Sequence, residues 1–342
     1  MGFQKSFLDH ILRKPIQSSG SQVTAEVVSE TPSTKAKTAP KEGLRFYLNF
    51  FMRDKPAFVA IFIIGLFLAW GVLEAFMQEL ASLLHQPSYG WALLPSNPFA
   101  LTFGAKLEPP SLKDFPYFLF GTNQNGQSIL SRILFAAPHD VEAPIVVVGS
   151  AVLIGMFLGT AAGYFGGWTD EVIMRLTDAF LSLPALILAI TVGVLLGTSV
   201  GGFDAILVAL MVVWWPVYTR FFRAQALSIR ERGYVESSKL SGSNPLRILI
   251  RHIIPNSIDP IIAYMTLDFG TVILFLSSLA FLGIGVSITY PEWGAESSLG
   301  LTFFPEYWWY AIIPGVVIGV IVVVFTLVGD RLQDLISGRI SY

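Results

Sequence analysis

The sequence of 342 residues contains no cysteine and few charged residues. Without cysteine the chain can form no disulfide, no thiolate nucleophile and no cysteine metal site. Charged residues make up 13% of the chain, which is about half their share in a typical soluble domain. The net charge of −2 gives no electrostatic basis for binding nucleic acid. Since 53% of the residues are hydrophobic, a soluble fold would expose large apolar patches, and the composition indicates a membrane protein.

Six apolar stretches are long enough to cross a bilayer as α-helices, which requires about 20 residues each. The last of these stretches contains no charged residue. The sequence therefore predicts an all-α polytopic membrane protein with six transmembrane helices. The stretches cover about residues 57–79, 144–165, 172–197, 203–225, 257–284 and 307–329.

Lysine and arginine are distributed unevenly over the connections between these stretches. Residues 1–55 hold nine of them and residues 230–251 hold five, whereas residues 285–306 hold none. Residues 80–143 hold only three over their whole length. Because basic residues are retained on the cytoplasmic side, we expect both termini and the loop at 226–256 in the cytoplasm. The connection at 80–143 is then expected outside.

Two segments precede the first apolar stretch. Residues 1–14 place apolar side chains on one helical face with basic residues elsewhere. That pattern predicts a short amphipathic helix on the membrane surface or on a partner. Residues 15–56 begin with a stretch rich in Ser, Thr, Pro, Ala and Lys, which is typical of a linker.

Residues 230–256 form a polar, basic segment between two apolar stretches. Gly242 and Pro245 prevent one long helix from running through the segment. Pro255 can begin the next span, where a missing N–H costs nothing. Glu236-Ser237-Ser238 is followed by Gly242 at the sixth position after Glu236, and the segment ends at Ile254-Pro255. This spacing resembles the EAA motif of ABC importer permeases.

Further segments resemble the dipeptide/oligopeptide class of that family, in the family's order. Together they extend the resemblance over about residues 115–338. Several positions depart from the usual pattern. Ser237 and Ser238 stand where the family has alanine, and Leu276 stands where it has glutamate. Gln127 stands where it has arginine, and Ala137-Pro138-His139 stand where it has Gly-Ala-Arg. Serine is small enough to preserve close docking of the motif. The matching segments are residues 121–132, 161–186, 214–256, 279–285, 291–294 and 329–334.

The resemblance implies a type I ABC importer permease fold with its core at 144–338, in a prokaryotic inner membrane. It implies a second homologous permease, two ATPase subunits and an extracytoplasmic substrate-binding protein as partners. ATP and Mg would bind to the ATPase subunits, and no cofactor is expected on this chain. No Walker A pattern occurs in the sequence, so we expect a non-catalytic subunit. Peptides are the expected substrates, and oligosaccharides are possible in this class.

The resemblance also implies a site for contact with the ATPase. In the family the EAA motif forms a short cytoplasmic helix that docks into the ATPase subunit. Carried over to this chain, the helix spans 236–243 and consists of Glu236, Ser237, Ser238, Lys239, Leu240, Ser241, Gly242 and Ser243.

Asp268 is the one acid within the fifth apolar stretch at membrane depth. It lies about 16 Å along that helix at 1.5 Å per residue, where an ionised carboxylate costs about 3 kcal/mol. It should therefore face a water-filled pathway or a polar partner. A contact to a transported solute and a structural hydrogen bond both fit.

Two other classes of function compete with an ABC permease. The alternative reading is an ion-coupled secondary transporter that uses Asp268. An intramembrane hydrolase would need a nucleophile and a base inside the spans, and no such pair occurs there. The four histidines are dispersed, so no metal site is predicted.

Overall fold

The computed structural model describes residues 54–197, 202–285 and 290–336. The helix predicted at 1–14 and nearly all of the linker at 15–56 lie outside these ranges. Over the described residues the regular structure is helical, apart from one isolated bridge between Thr122 and Ser128. The prediction of an all-α fold is confirmed.

Eleven α-helices occur in the described ranges. Two short 3-10 helices lie between the first two of them, at Pro87–Trp91 and Phe103–Ala105. A π-helical turn at Leu249–Ile253 joins the helix that ends at Ile248 to the one that begins at Ile254. The α-helices are α1 (Lys55–Leu83), α2 (Ile129–Phe165), α3 (Gly167–Leu181), α4 (Ala185–Gly197), α5 (Gly202–Arg230), α6 (Gly233–Leu240), α7 (Pro245–Ile248), α8 (Ile254–Ser257), α9 (Asp259–Phe281), α10 (Trp293–Leu301) and α11 (Trp308–Ile336).

Five of these helices, α1, α2, α5, α9 and α11, are long and apolar enough to cross a membrane. The third predicted span, 172–197, is divided between α3 and α4, which are bent by 87°. Pro184 explains the break, because proline has no N–H and disfavours a helical conformation in the residue before it. Counting the bent pair as one span makes six, as predicted.

α2 begins well before the apolar stretch at 144–165. Ser128 caps its N-terminus, since the hydroxyl accepts from the backbone N–H of Ser131 at 3.4 Å. Pro138 then lies inside the helix and cannot bond to the carbonyl oxygen of Leu134. The indole of Trp70 in α1 donates to that oxygen at 3.0 Å. A contact from a neighbouring helix therefore compensates for the missing bond.

Three glycines let α2 approach α5 closely. Gly155, Gly159 and Gly163 recur every four residues, so they lie on one face of the helix. A β-carbon on Gly155 would lie 2.6 Å from the backbone of Tyr218, and one on Gly163 would lie 2.7 Å from the side chain of Ala226. The two helices thus pack with their backbones nearly in contact. They contribute to the main buried cluster together with α4 and α9.

Candidate functional site

The short helix expected in the polar loop is α6, which covers Gly233–Leu240. It begins and ends three residues before the predicted range of 236–243. Five of the eight predicted residues are therefore helical, and the other three, at 241–243, form the turn that ends the helix.

The end of α6 is set by Gly242, whose φ of 75° is one that glycine adopts readily. The N–H of Gly242 donates to the carbonyl of Lys239 at 3.0 Å, and the N–H of Ser243 donates to the carbonyl of Ser238 at 3.1 Å. These two bonds are those of a Schellman motif, which satisfies the last carbonyls of a helix. Asn244 then caps the next helix by accepting from the N–H of Leu246. The loop thus has a defined conformation.

One side of α6 is anchored in the protein. Val235 is fully buried in a cluster with residues of α5 and of the segment after α6. Lys239 places its Nζ 5.4 Å from the centre of the Tyr164 ring at the end of α2. Arg230 donates to the carbonyl of Gly163 at 2.9 Å. The helix is therefore connected to α2 and α5. The other members of the cluster are Ala226, Ile229, Ile248, Leu249 and Ile253.

Apolar and charged side chains of the loop are exposed together. Leu240 is 85% exposed and Leu246 is 60% exposed. Glu236 and Arg247 are also exposed, which adds charges of both signs to the same short segment. Exposed apolar residues accompanied by charged ones are common in protein–protein contacts. We call the exposed residues Glu236, Leu240, Leu246 and Arg247 the loop surface.

The helices next to the loop are fixed to one another by ion pairs. Arg223 of α5 donates to both carboxylate oxygens of Asp170 in α3, with 2.6 Å between Nη2 and Oδ2. Arg220 of α5 pairs with Asp178, which also lies in α3. Because both arginines lie on α5, movement of α5 at the loop would carry α3 with it.

Asp268 lies near the middle of α9 and is 9% exposed. Its side chain borders a cavity of about 170 Å³ between α9, α5 and the junction of α3 with α4. Trp214 and Tyr218 of α5 lie against the carboxyl group. Oδ2 of Asp268 has no hydrogen-bond partner among the described residues. Because Asp268 lines the cavity, its carboxylate can accept from a donor that enters there.

The predicted site residues thus occupy two separate places. The loop residues are contiguous, and Asp268 is distant from them in the chain. α5 connects the two, because it contains Trp214 beside Asp268 and continues to Arg230 beside the loop. At 1.5 Å per residue these positions are about 24 Å apart along the helix.

Sequence reasoning missed a second set of buried polar residues at the end of α2 away from the loop. Glu292 and Glu296 lie in the connection described from the sequence only by its lack of lysine and arginine, but both are buried where α10 packs against α9 and α11. Glu296 pairs with buried Arg132. Glu292 caps α10, accepting from the N–H of Ala295 at 2.7 Å, and burial raises the pKa of Glu292 to about 8. The tryptophan beside them in the sequence was the available signal of burial.

The glycine contacts between α2 and α5 were also missed. Their signal was present in the sequence, since a small residue occurs at every fourth position at 151, 155, 159 and 163. Such spacing is typical of close helix packing in membranes.

Comparison with known proteins finds one family and several relatives that match most of the chain. The family described as "Binding-protein-dependent transport system inner membrane component" matches residues 151–342. The probable D,D-dipeptide transport system permease protein DdpC of Escherichia coli is 37% identical over 72% of this chain and 80% of its own length. The dipeptide transport system permease protein DppC of Alkalihalophilus pseudofirmus is 35% identical over 73% and 80%.

A third relative extends the similarity towards the N-terminus. The dipeptide transport system permease protein DppC of Haemophilus influenzae is 32% identical over 92% of this chain and its whole length. The matched regions include the loop with α6, the helix with Asp268 and the packed glycines. This chain belongs to the family of inner-membrane components of binding-protein-dependent transport systems.

Proposed function

We propose that this chain is a permease subunit of an ATP-driven ABC importer for peptides or similar solutes. The substrate class follows the relatives named above, whose names refer to dipeptides. In this proposal the chain forms half of the translocation pathway, and a second homologous permease forms the other half. Two ATPase subunits bind ATP and Mg, and a substrate-binding protein delivers the solute.

The observation that carries the proposal is the loop surface on α6 and its neighbours. A short helix is held on one side by Val235, while Leu240 and Leu246 are exposed on the other. Leaving two leucines exposed beside a structured helix is unfavourable unless a partner covers them. We propose that the ATPase subunit is this partner, and that α6 is the helix through which the two subunits are coupled.

Coupling requires that movement of α6 reach the pathway. The helix is attached to α2 through Tyr164 and follows α5 directly. α2 and α5 pack too closely at their glycines to slide without moving together. We infer that closure of the ATPases moves α6, α5 and α2 as a unit, which changes access to the cavity beside Asp268.

The distribution of basic residues supports an orientation with the loop in the cytoplasm. The segment at 80–143 is then outside, where a substrate-binding protein can reach it, and both termini are cytoplasmic. This part of the proposal rests on the positive-inside rule. An ion-coupled transporter that uses Asp268 gains no support from the family or from the relatives.

The proposed contact can be tested with two matched leucines. Leu240→Asp should abolish co-purification of the ATPase subunits and ATP-driven uptake of alanyl-alanine, because it replaces an exposed leucine of the loop surface with a charge. Leu112→Asp is the control for ATPase binding, since Leu112 is 78% exposed in the segment between α1 and α2. It should retain co-purification of the ATPase subunits. Normal ATPase binding by the Leu240→Asp variant would refute the assignment of α6.

A further inference from the structure

The cavity beside Asp268 combines a carboxylate with aromatic rings. Trp214 and Phe275 form part of its wall, with ring centres 5.0 Å apart at an angle of 90°. Phe180 and Tyr264 contribute further rings. Among the described residues that line the cavity there is no lysine, arginine or histidine. The negative group therefore has no positive partner within the cavity itself.

The carboxylate is positioned to receive a ligand. Asp268 is 9% exposed and forms part of the cavity wall. Its neighbouring donors, the Tyr218 hydroxyl and the Trp214 indole, are neutral. A carboxylate in a mostly apolar wall is costly unless a positive group reaches it. Aromatic faces attract cations through their quadrupoles, and the attraction is stronger where water is displaced. Both features therefore favour a cationic ligand.

The size and chemistry of the wall narrow the ligand class. A divalent metal ion prefers six or more oxygen ligands, whereas this wall is mostly hydrocarbon with one carboxylate. The cavity of about 170 Å³ is smaller than a pocket that encloses a whole ligand, which is about 300 Å³ or more. It can hold one end of a solute. An organic ammonium group on a short aliphatic stem fits these limits.

We propose that this cavity binds the ammonium group of the transported solute, such as the amino terminus of a peptide. Asp268 supplies the counter-charge, and Trp214, Tyr264 and Phe275 supply the aromatic wall. The proposal rests on the proposed function, because the solute reaches the cavity only if this part of the chain borders the pathway.

Charge selectivity of the cavity can be measured without transport. The sequence contains no cysteine, so one introduced cysteine reports on one place. Thr271 lines this cavity, and Ser278 on the same helix lines a different one that has no acidic residue in its wall. Both hydroxyls donate to the carbonyl four residues earlier. Thr271→Cys and Ser278→Cys are therefore a matched pair.

The experiment compares the rates at which aminoethyl and sulfonatoethyl methanethiosulfonate form a mixed disulfide with the introduced cysteine, with release of methanesulfinate, in full-length chains in permeabilised membranes. At each position the reaction rate with the cationic reagent is divided by the rate with the anionic reagent. This ratio should be about tenfold higher at Thr271→Cys than at Ser278→Cys, as expected for about 1.4 kcal/mol of cation binding. Adding Asp268→Asn should remove the excess, and Asp268→Glu should retain it. Equal ratios at the two positions, or an excess that survives Asp268→Asn, would overturn the proposal.

The ligand class is tested with two peptides in the same assay. Alanyl-alanine should slow mixed-disulfide formation at Thr271→Cys, whereas N-acetyl-alanyl-alanine, which lacks the ammonium group, should not. Equal protection by both peptides, or protection by neither, contradicts ammonium binding. ATP-driven uptake by the assembled wild-type transporter is measured separately. Absence of uptake together with charge selectivity at Thr271→Cys would count against the proposed function. Uptake without charge selectivity at Thr271→Cys would count against the ammonium site alone.

Discussion

Gly159 of α2 lies directly against the backbone carbonyl of Thr219 in α5, with no room for a side chain between them. The contact belongs to a row of three glycines that brings the two helices together along much of their length. The same two helices support the polar loop at one end. Their packing is thus part of the path by which movement of the loop would reach the membrane interior.

The glycine contact predicts a difference between two substitutions in one helix. Gly159→Ala should destabilise the protein by about 1–3 kcal/mol, because the added methyl group must push α5 away. Gly149→Ala is the control, since a β-carbon there meets nothing within 4 Å. Thermal unfolding of detergent-purified protein should show a lower midpoint for Gly159→Ala only. Equal midpoints for the two variants would show that α2 and α5 are less closely packed than described.

The turn at Gly242 predicts that backbone conformation, and not space, limits substitution there. A β-carbon at Gly242 meets nothing within 4 Å, but its φ of 75° disfavours a β-branched residue. Gly242→Val should distort the end of α6 and reduce uptake per ATP hydrolysed in the assembled transporter. Gly242→Asn should retain most coupling, because asparagine tolerates this conformation. If the valine variant transports as well as wild type, the turn has no role in coupling.

Burial of Glu292 predicts that stability depends on pH. Its pKa rises from 4.5 to about 8 in the folded chain, chiefly because of burial and in part because of Glu296. Asp140 of α2 also lies near Glu292, and Arg132 is paired with Glu296. The folded chain retains a proton that the unfolded chain loses. Stability should therefore be greatest below pH 4.5 as far as this group is concerned, and should fall as pH rises through about 8.

The measurement is the thermal midpoint of purified protein between about pH 5 and pH 9. The midpoint should decrease across this range in wild type and change less in Glu292→Gln, which keeps the acceptor for the N–H of Ala295. Glu306→Gln is the control, since Glu306 is exposed. It should follow the wild-type curve. A Glu292→Gln curve parallel to wild type would assign the pH dependence to other groups.

The proposed orientation predicts opposite labelling of two exposed positions. Leu112→Cys should react with a membrane-impermeant maleimide in intact cells or right-side-out vesicles. Leu240→Cys should react only in inverted vesicles lacking the ATPase subunits. Each variant contains a single cysteine, because the natural chain has none. Reaction of Leu240→Cys from outside would reverse the proposed topology.

The loop illustrates what could be anticipated from local sequence. Gly242 and Pro245 predicted that no single long helix runs through the polar segment. The resemblance to the EAA motif implied a short helix at 236–243, and α6 lies there with a shift of three residues. The shift arises because Gly242 lies beyond the C-terminus of a helix, as the residue in the positive-φ conformation. The burial of Glu292 and Glu296 could not be anticipated in the same way, since it depends on how α10 packs against α9 and α11.

The prolines show where local information ends. Pro184 separates α3 from α4, but Pro138 and Pro144 lie inside α2, Pro216 lies inside α5 and Pro314 lies inside α11. Each interior proline lacks the N–H that would donate to the carbonyl four residues earlier in the helix. In α2 the carbonyl left by Pro138 receives the indole N–H of Trp70 from another helix. Whether a proline ends a helix therefore depends on partners that are distant in sequence.

The all-helical membrane architecture and the place of the polar loop can be inferred from the amino-acid sequence alone. Bilayer thickness sets the length of apolar helices, and glycine and proline have strong local preferences, so both follow from neighbouring residues. The glycines that meet α5, the acids that are buried, and the aromatic cavity beside Asp268 became apparent only in the folded chain. These features depend on side chains from several helices meeting in three dimensions, where packing leaves little space for alternatives.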